Sequence, residues 1–148
     1  MKIRPVAPGD SGEWFRLRAA LWPDCTIERH RSEMAEYTSS QGSLIAIVAV
    51  RADGGLGGFL EASIRSFAEG CFTGPVGYVE GWYVDSDVRR LGVGAQLIRA
   101  AEAWASSLGC KEMASDCLVD NEVSRLAHSS LGYQEVLRLI HFKKQLRS

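Results

Sequence analysis

The hydrophobic positions of the chain recur with two different periods, and the period separates strands from helices. Residues 2–6 alternate between polar and apolar side chains, which predicts a strand. Apolar residues at helical spacing predict a helix that begins at residues 10–11 and ends near Trp22, ahead of Pro23. A second helix is predicted over residues 27–37.

The rest of the chain alternates between strand and helix patterns. A stretch rich in Ile, Val and Ala is followed by a glycine-containing turn and a second apolar stretch, which predicts a hairpin. The further predicted elements are strands over 43–51, 56–65, 76–85 and 112–118, helices over 91–108 and 121–130, and an extended end over 133–146. The order βααβββαβαβ predicts a mixed α/β domain.

The length and composition fit a single globular domain spanning residues 1–148. Of the 148 residues, 46% are hydrophobic and 24% are charged, which is ordinary for a soluble protein. A net charge of −1 gives no overall basic field, so we expect no nucleic-acid partner. No apolar stretch approaches the roughly 18 residues of a membrane span, and no secretion signal is recognisable. We therefore expect a cytoplasmic protein that does not bind membranes.

Four cysteines are scattered along the chain, at positions 25, 71, 110 and 117. Neither their mutual spacing nor their spacing from the three histidines matches a metal-binding motif. We therefore expect reduced thiols and no metal ion.

The most informative segment joins the fourth predicted strand to the long helix after it. The backbone N–H groups and the dipole at a helix start favour an anion. Gly92 and Gly94 let a phosphate approach the main chain, and Arg89 and Arg90 add positive charge beside it. The segment lacks the Gly-Lys-Ser/Thr ending of a Walker loop and the third glycine of a Rossmann fingerprint. A glycine-rich helix entry with surface arginines is the purely structural alternative.

The spacing Arg89-x-x-Gly92-x-Gly94 resembles the Gln/Arg-x-x-Gly-x-Gly/Ala pattern of the GNAT superfamily of N-acetyltransferases. The resemblance implies the GNAT acyl-CoA N-acyltransferase fold, with a central, twisted, mostly antiparallel sheet whose fourth and fifth strands splay apart around acetyl-CoA. It also implies that the loop and helix start hold the pyrophosphate. The residues expected to contact acetyl-CoA are Trp82, Tyr83, Val84, Arg89, Arg90, Leu91, Gly92, Val93, Gly94, Ala95 and Asn121.

A second block, from Asn121 to Tyr133, resembles the GNAT segment that ends in Leu-Gly-Phe. In the family this helix packs beside the pantetheine arm, and its early asparagine often meets the cofactor. Many members carry a tyrosine at the position of His128, where it protonates the departing CoA thiolate. His128 can take that role, because a free imidazole titrates near neutral pH. A hydrogen-bonded structural histidine is the alternative, and Tyr83 and Tyr133 remain candidates for the general acid.

Segments over most of the chain are also similar to the short aminoglycoside 6′-N-acetyltransferases of bacterial resistance. The matching segments are residues 21–23, 61–65, 80–84, 112–116 and 128–133. The tetrapeptides Ala-Ser-Ile-Arg at 62–65 and Met-Ala-Ser-Asp at 113–116 are not shared by GNAT proteins in general. The resemblance implies a polycationic antibiotic as substrate and a homodimeric enzyme.

Polycationic substrates require a site with carboxylates. Strand alternation predicts Glu80, Trp82 and Val84 on one face, and Asp116 lies near the end of the flanking strand. The amine must lose a proton before it attacks the thioester, and Glu80 or Asp116 can accept it, directly or through water. The resemblance gives both residues these acidic roles; a salt-bridged structural carboxylate is the alternative for each. A backbone N–H near residues 82–84 would stabilise the oxyanion.

Other features bear on the acceptor and on assembly. Trp22 is a candidate wall of the sugar pocket or, equally, a core tryptophan. Residues 66–70 differ from the loop usual in the resistance family and are one residue shorter, and Leu137 stands where that family carries a glutamate. The stretch after Gly132 is too short for two long strands, which leaves an exposed edge and predicts a homodimer.

Three functions are consistent with these features. The first is an aminoglycoside 6′-N-acetyltransferase that confers resistance by direct attack of the amine on acetyl-CoA. The second is a GNAT enzyme for another primary amine, such as a polyamine, an amino sugar or a protein N-terminus. The third is a non-catalytic acyl-CoA sensor, which would need neither Glu80 nor Asp116.

Overall fold

The computed structural model describes residues 1–147, which divide into a larger unit, 1–116, and a smaller unit, 117–147. The larger unit contains one five-stranded sheet in the order β1-β2-β3-β4-β5. Its elements are β1 (Lys2–Pro5), α1 (Ser11–Leu21), α2 (Ile27–Ser39), β2 (Leu44–Val50), β3 (Leu56–Arg65), β4 (Val76–Val84), α3 (Val93–Ser107) and β5 (Met113–Ser115). Strands β1 to β4 are antiparallel neighbours, and β5 runs parallel to β4. The predicted mixed α/β fold is confirmed.

Local side-chain contacts fix where the first two helices begin. The Thr26 hydroxyl accepts the N–H of Arg29 at 3.1 Å and so caps α2. Asp10 precedes α1 as predicted, but its carboxylate accepts the N–H of Ala7 at 2.7 Å and the guanidinium of Arg4. Asp10 therefore stabilises the short 3-10 turn before α1 and joins it to β1.

Helices cover both faces of the sheet. Helices α1 and α2 bury one apolar cluster against β2 and β3, made of Trp14, Leu17, Met34, Ala46, Val48, Leu56 and Phe59. Helix α3 packs on the opposite face, where Leu97 approaches Gly58 of β3. A sheet covered on both faces needs nearly continuous apolar strands, which explains the unbroken run in β2.

The smaller unit contains one helix, α4 (Glu122–Ser130), whose start is capped by the Asn121 side chain accepting the N–H of Ser124 at 3.1 Å. The predicted final strand is wrong, because residues 133–147 form no strand. Extended sequence becomes a strand only when a neighbouring strand supplies hydrogen bonds, and within the described chain this segment has none. No helix within residues 1–147 is long and apolar enough to cross a membrane.

Candidate active site

Strands β4 and β5 are paired over only three positions, Gly77 with Met113, Tyr78 with Ala114 and Val79 with Ser115. Glu80 is the next residue of β4, and Asp116 directly follows β5. Both predicted acids therefore stand where the two strands stop pairing. We call this point the fork (residues 79–80 of β4 and 115–116 at the end of β5).

A β-bulge in β4 decides which way the fork residues face. Glu61 of β3 pairs with Gly81 and Ala62 pairs with Val79, so Glu80 is the extra residue. Beyond the bulge, Trp82 lies against Gly94 of α3, whereas the Glu80 carboxylate reaches Ser63 on the other face. The prediction that Glu80, Trp82 and Val84 share a face is therefore wrong, because the inserted residue interrupts the two-residue period.

The Glu80 carboxylate is half-buried and bound by two side chains of β3. The Ser63 hydroxyl donates to Oε2 at 2.5 Å. The Arg65 guanidinium donates from Nη2 to both oxygens at 2.8 Å and from Nε to Oε2 at 3.1 Å. Glu80 is thus part of an ion pair at the fork, with 28% of its side chain still exposed.

Asp116 is connected to the same group through Tyr78. The Tyr78 hydroxyl donates a hydrogen bond to Asp116, and the Arg65 guanidinium lies 3.5 Å from the centre of the Tyr78 ring. Burial, and then the hydrogen bond to Asp116, raise the pKa of Tyr78. The phenol therefore keeps its proton and remains a donor. The structure brings the two predicted acids into one continuous chain of contacts.

Trp22, the predicted wall of the sugar pocket, lies directly beside the fork. Its indole covers Gly81, where an added Cβ would come within 2.7 Å of the indole Cζ2. The ring also receives the Arg18 guanidinium at 4.8 Å and meets Phe59 edge-on at 6.0 Å. Only glycine at position 81, which has no Cβ, leaves room for the Trp22 ring.

A buried polar network next to Trp22 was not predicted from the sequence. The Arg18 guanidinium lies 2.5 Å from both carboxylate oxygens of Glu61, and the Trp14 indole donates to the same carboxylate at 2.9 Å. Arg18 also donates to His30 at 3.1 Å and contacts Glu33. Arg18 and Glu61 are almost completely buried. The sequence signal was a glutamate directly after the apolar residues Phe59 and Leu60 of β3.

The predicted anion-binding segment forms the connection from β4 to α3. Arg89 donates from Nε to the Val84 carbonyl at 2.8 Å, which turns the chain at the end of β4. Arg90 and Gly92 take left-handed conformations, with φ of 64° and 81°. Helix α3 then begins at Val93, two residues later than predicted, so Leu91 belongs to the loop.

The start of α3 has the features of an anion site. The N–H groups of its first turn, Val93, Gly94 and Ala95, have no partner within the helix. Gly94 is packed on β4, where an added Cβ would lie 3.2 Å from the Trp82 ring. The helix start is therefore held close to the strand that carries Glu80.

Ion pairs anchor the turn that precedes this loop. Arg51, at the end of β2, donates to Asp85 at 3.0 Å and to both oxygens of Asp87 at 2.8 Å. Arg16 of α1 binds Asp85 at 2.9 Å and Glu13 at 2.7 Å. These contacts tie the turn to β2 and α1, which fixes the loop from its N-terminal side.

The remaining candidates, Asn121 and His128, belong to the smaller unit. The Asn121 side chain caps the start of α4. The same helix carries His128, whose Nδ1 lies 2.7 Å from the Ser124 carbonyl oxygen. The Tyr133 ring meets His128 edge-on at 5.7 Å. His128 is therefore oriented by its own helix. Across the described residues, no group of three or more His, Cys, Asp or Glu side chains is arranged to hold a metal ion.

Comparison with known proteins identifies the family. The model of the acetyltransferase (GNAT) family matches residues 14–133. The chain belongs to the GNAT acetyltransferase family. A relative from Klebsiella aerogenes, named aminoglycoside N(6′)-acetyltransferase type 1, is 45% identical over 97% of this chain and 96% of its own length. A protein of the same name from Acinetobacter genomosp. 13 is 39% identical over 99% of each chain.

Solved structures of similarly named enzymes have the same fold. AAC(6′)-Iy, in complex with the bisubstrate analogue CoA-S-monomethyl-acetylneamine, superposes with a TM-score of 0.91 at 36% identity over 98% of both chains. The ligand-free aminoglycoside 6′-N-acetyltransferase AAC(6′)-IG of Acinetobacter haemolyticus gives a TM-score of 0.91 at 37% identity, over 99% of this chain and all of its own. The predicted GNAT fold is confirmed.

Proposed function

We propose that this GNAT enzyme is an aminoglycoside 6′-N-acetyltransferase, which transfers the acetyl group of acetyl-CoA to the 6′-amine of an aminoglycoside and so confers resistance. One observation supports this above the others. Glu80 and Asp116 stand together at the fork, and Glu80 lies on β4, the strand that leads to the anion-binding loop. The two relatives and two structures described above are all named for this activity.

In this proposal the loop and helix start after β4 bind acetyl-CoA. The first-turn N–H groups of α3 would bind the pyrophosphate, with Arg89 and Arg90 supplying positive charge. The 82–84 main chain would contact the cofactor along β4, and Asn121 stays a predicted cofactor contact. AAC(6′)-Iy has been solved with CoA itself as well as with the bisubstrate analogue, which supports this cofactor.

The acceptor amine is protonated in solution and needs a base before it can attack. Glu80 would take that proton, directly or through a water molecule, and Asp116 would bind a second ammonium group or share this role. Trp22 would form the wall of the sugar site beside them. A main-chain N–H within 82–84 would stabilise the oxyanion formed by attack on the thioester carbonyl. The departing thiolate then needs a proton, for which His128, Tyr83 and Tyr133 are the candidates.

We also propose that the two units act as one catalytic domain, since the family match from 14 to 133 spans both. The active form would be a homodimer. Residues 133–147 expose several large apolar side chains, including Ile140 at 77% and Phe142 at 89%, and a second copy would cover them.

The four cysteines are free thiols, which suits the reducing cytoplasm.

Light scattering tests the dimer. Phe142→Asp should give monomers at concentrations where the wild type is dimeric, whereas Lys144→Asp, which alters a neighbouring polar position, should not. A wild-type enzyme that is monomeric at high concentration would contradict the proposal.

A CoA-release assay over a panel of amines tests the function. We expect turnover with kanamycin-like or tobramycin-like drugs that carry a 6′-amine, and none with a matched aminoglycoside that carries a 6′-hydroxyl. Expression in a susceptible bacterium should raise resistance to the first group only. Turnover with spermidine and not with any 6′-amino drug would instead support the second function, a GNAT enzyme for another amine.

A further inference from the structure

The two oxygens of the Glu80 carboxylate are not equivalent. Oε2 accepts hydrogen bonds from Ser63 Oγ, Arg65 Nε and Arg65 Nη2, at 2.5, 3.1 and 2.8 Å. Within residues 1–147, Oε1 accepts only from Arg65 Nη2, at 2.8 Å. A carboxylate oxygen can accept more than one hydrogen bond, so Oε1 retains acceptor capacity while Oε2 is saturated.

Arg65 is itself held from the other side. Its guanidinium stacks on the Tyr78 ring at 3.5 Å, and the hydroxyl of that ring donates to Asp116. A long side chain that is 44% exposed would otherwise sample several rotamers. Contacts on two sides restrict it to one arrangement, and that arrangement connects Glu80 to Asp116.

We propose that Arg65 is a positioning residue, which presents Oε1 of Glu80 to the acceptor amine. Through Tyr78 it also holds the carboxylates of Glu80 and Asp116 in fixed relative positions. The inference rests on the proposed function, because it takes Glu80 as the proton acceptor. Arg65 acts through Glu80 and needs no contact with the substrate. Exposed ion pairs contribute little to stability, so the loss of Arg65 should appear in catalysis rather than in folding.

A double-mutant cycle tests this role. We expect Arg65→Gln to lower kcat/KM for a 6′-amino aminoglycoside by roughly ten- to a hundredfold, mainly through kcat, because small misplacements of a reacting group have effects of that size. In the Glu80→Gln background the same change should have no further effect. CoA binding measured by calorimetry, and the melting temperature, should stay at wild-type values.

Two conservative variants separate the contacts. Arg65→Lys keeps the charge but loses the two-pronged contact, so it should recover only part of the activity. Tyr78→Phe keeps the ring under Arg65 and removes the donor to Asp116, so it should have a smaller effect than Arg65→Gln. Arg31→Gln removes the same charge from an exposed position of α2 and should leave kcat/KM unchanged.

The outcomes distinguish this inference from the function on which it rests. If the wild type acetylates a 6′-amino drug but Arg65→Gln is equally active, Arg65 has no positioning role. An equal loss in the wild-type and Glu80→Gln backgrounds would also overturn it, since Arg65 would then act independently of Glu80. A wild-type enzyme with no turnover on any 6′-amino drug would contradict the proposed function itself.

Discussion

Two arginine–glutamate pairs lie on the same face of the sheet and differ chiefly in burial. Arg18 and Glu61 are almost completely buried, and Trp14 and His30 complete their hydrogen bonds. Arg65 and Glu80 stand at the fork with 44% and 28% of their side chains exposed. The pairs are neighbours, because Glu61 is paired with Gly81, the residue after Glu80.

Because they differ in burial, the two arginine–glutamate pairs contribute to the protein in different ways. A buried charge that loses its partner is very unfavourable, so the inner pair links α1 firmly to β3. A partly exposed pair contributes little to the free energy of unfolding and leaves its carboxylate accessible to a cation. The inner pair therefore belongs to the fold, and the fork pair is available for chemistry.

The largest effect that can test this division is on activity. Glu80→Gln should lower kcat/KM for a 6′-amino aminoglycoside by about 10²- to 10⁴-fold, the usual contribution of a general base, with little change in melting temperature. Glu69→Gln, in the exposed loop after β3, is the matched control and should remain active. Full activity of Glu80→Gln would remove the distinction between the two pairs.

The inner pair should instead affect stability. Arg18→Met leaves the Glu61 charge buried without its partner, and we expect a loss of about 3–5 kcal/mol in the free energy of unfolding. Urea denaturation monitored by tryptophan fluorescence measures this loss. Replacing both residues, Arg18→Met with Glu61→Leu, should recover much of it. A single variant as stable as the wild type would show that the buried pair is dispensable.

Gly81 connects the two pairs and should give an intermediate effect. In Gly81→Ala the new Cβ would overlap the Trp22 indole, so we expect a loss of about 1–3 kcal/mol from overpacking. Gly12→Ala is the matched control, because nothing lies within 4 Å of its Cβ position in α1. Adding Trp22→Leu should relieve the clash, and if it does not, Trp22 is not the side chain that excludes alanine.

A third ion pair, Arg4 with Asp10, should give the smallest effect. The hydrogen bond from Arg4 lowers the pKa of Asp10 below its usual value of 3.8. A carboxyl whose pKa is lower in the folded protein adds stability above the unfolded value and loses it as pH falls through the folded value. Asp10→Asn should therefore cost on the order of 1 kcal/mol or less at pH 7 and flatten the stability profile below about pH 4. An unchanged acid limb would contradict this assignment.

Hydrophobic periodicity predicted the elements of the larger unit to within a few residues, because most of them bury an apolar face against the sheet or its helices. The strand at 56–65 was predicted with the bounds that the structure has. The loop that leads from Arg89 into α3 was also located, because its glycines and arginines are local signals.

Features that depend on pairing between distant residues were missed. The bulge at Glu80 depends on how β4 pairs with β3. The buried Arg18–Glu61 pair joins residues from α1 and β3. The final strand was predicted from extended sequence alone, whereas residues 133–147 have no strand partner in the described chain. The roles of Glu80, Asp116 and His128 remain predictions.

The bulge in β4 places Glu80 and Trp82 on separate surfaces of the sheet, and each surface can change in sequence without the other. Residues 80 and 82 point to opposite faces, so replacements around Ser63, Arg65 and Tyr78 leave the packing of Trp82 on Gly94 undisturbed. If the proposed function holds, substitutions on the Glu80 side of the sheet should change the choice of acceptor while the start of α3 stays packed on β4.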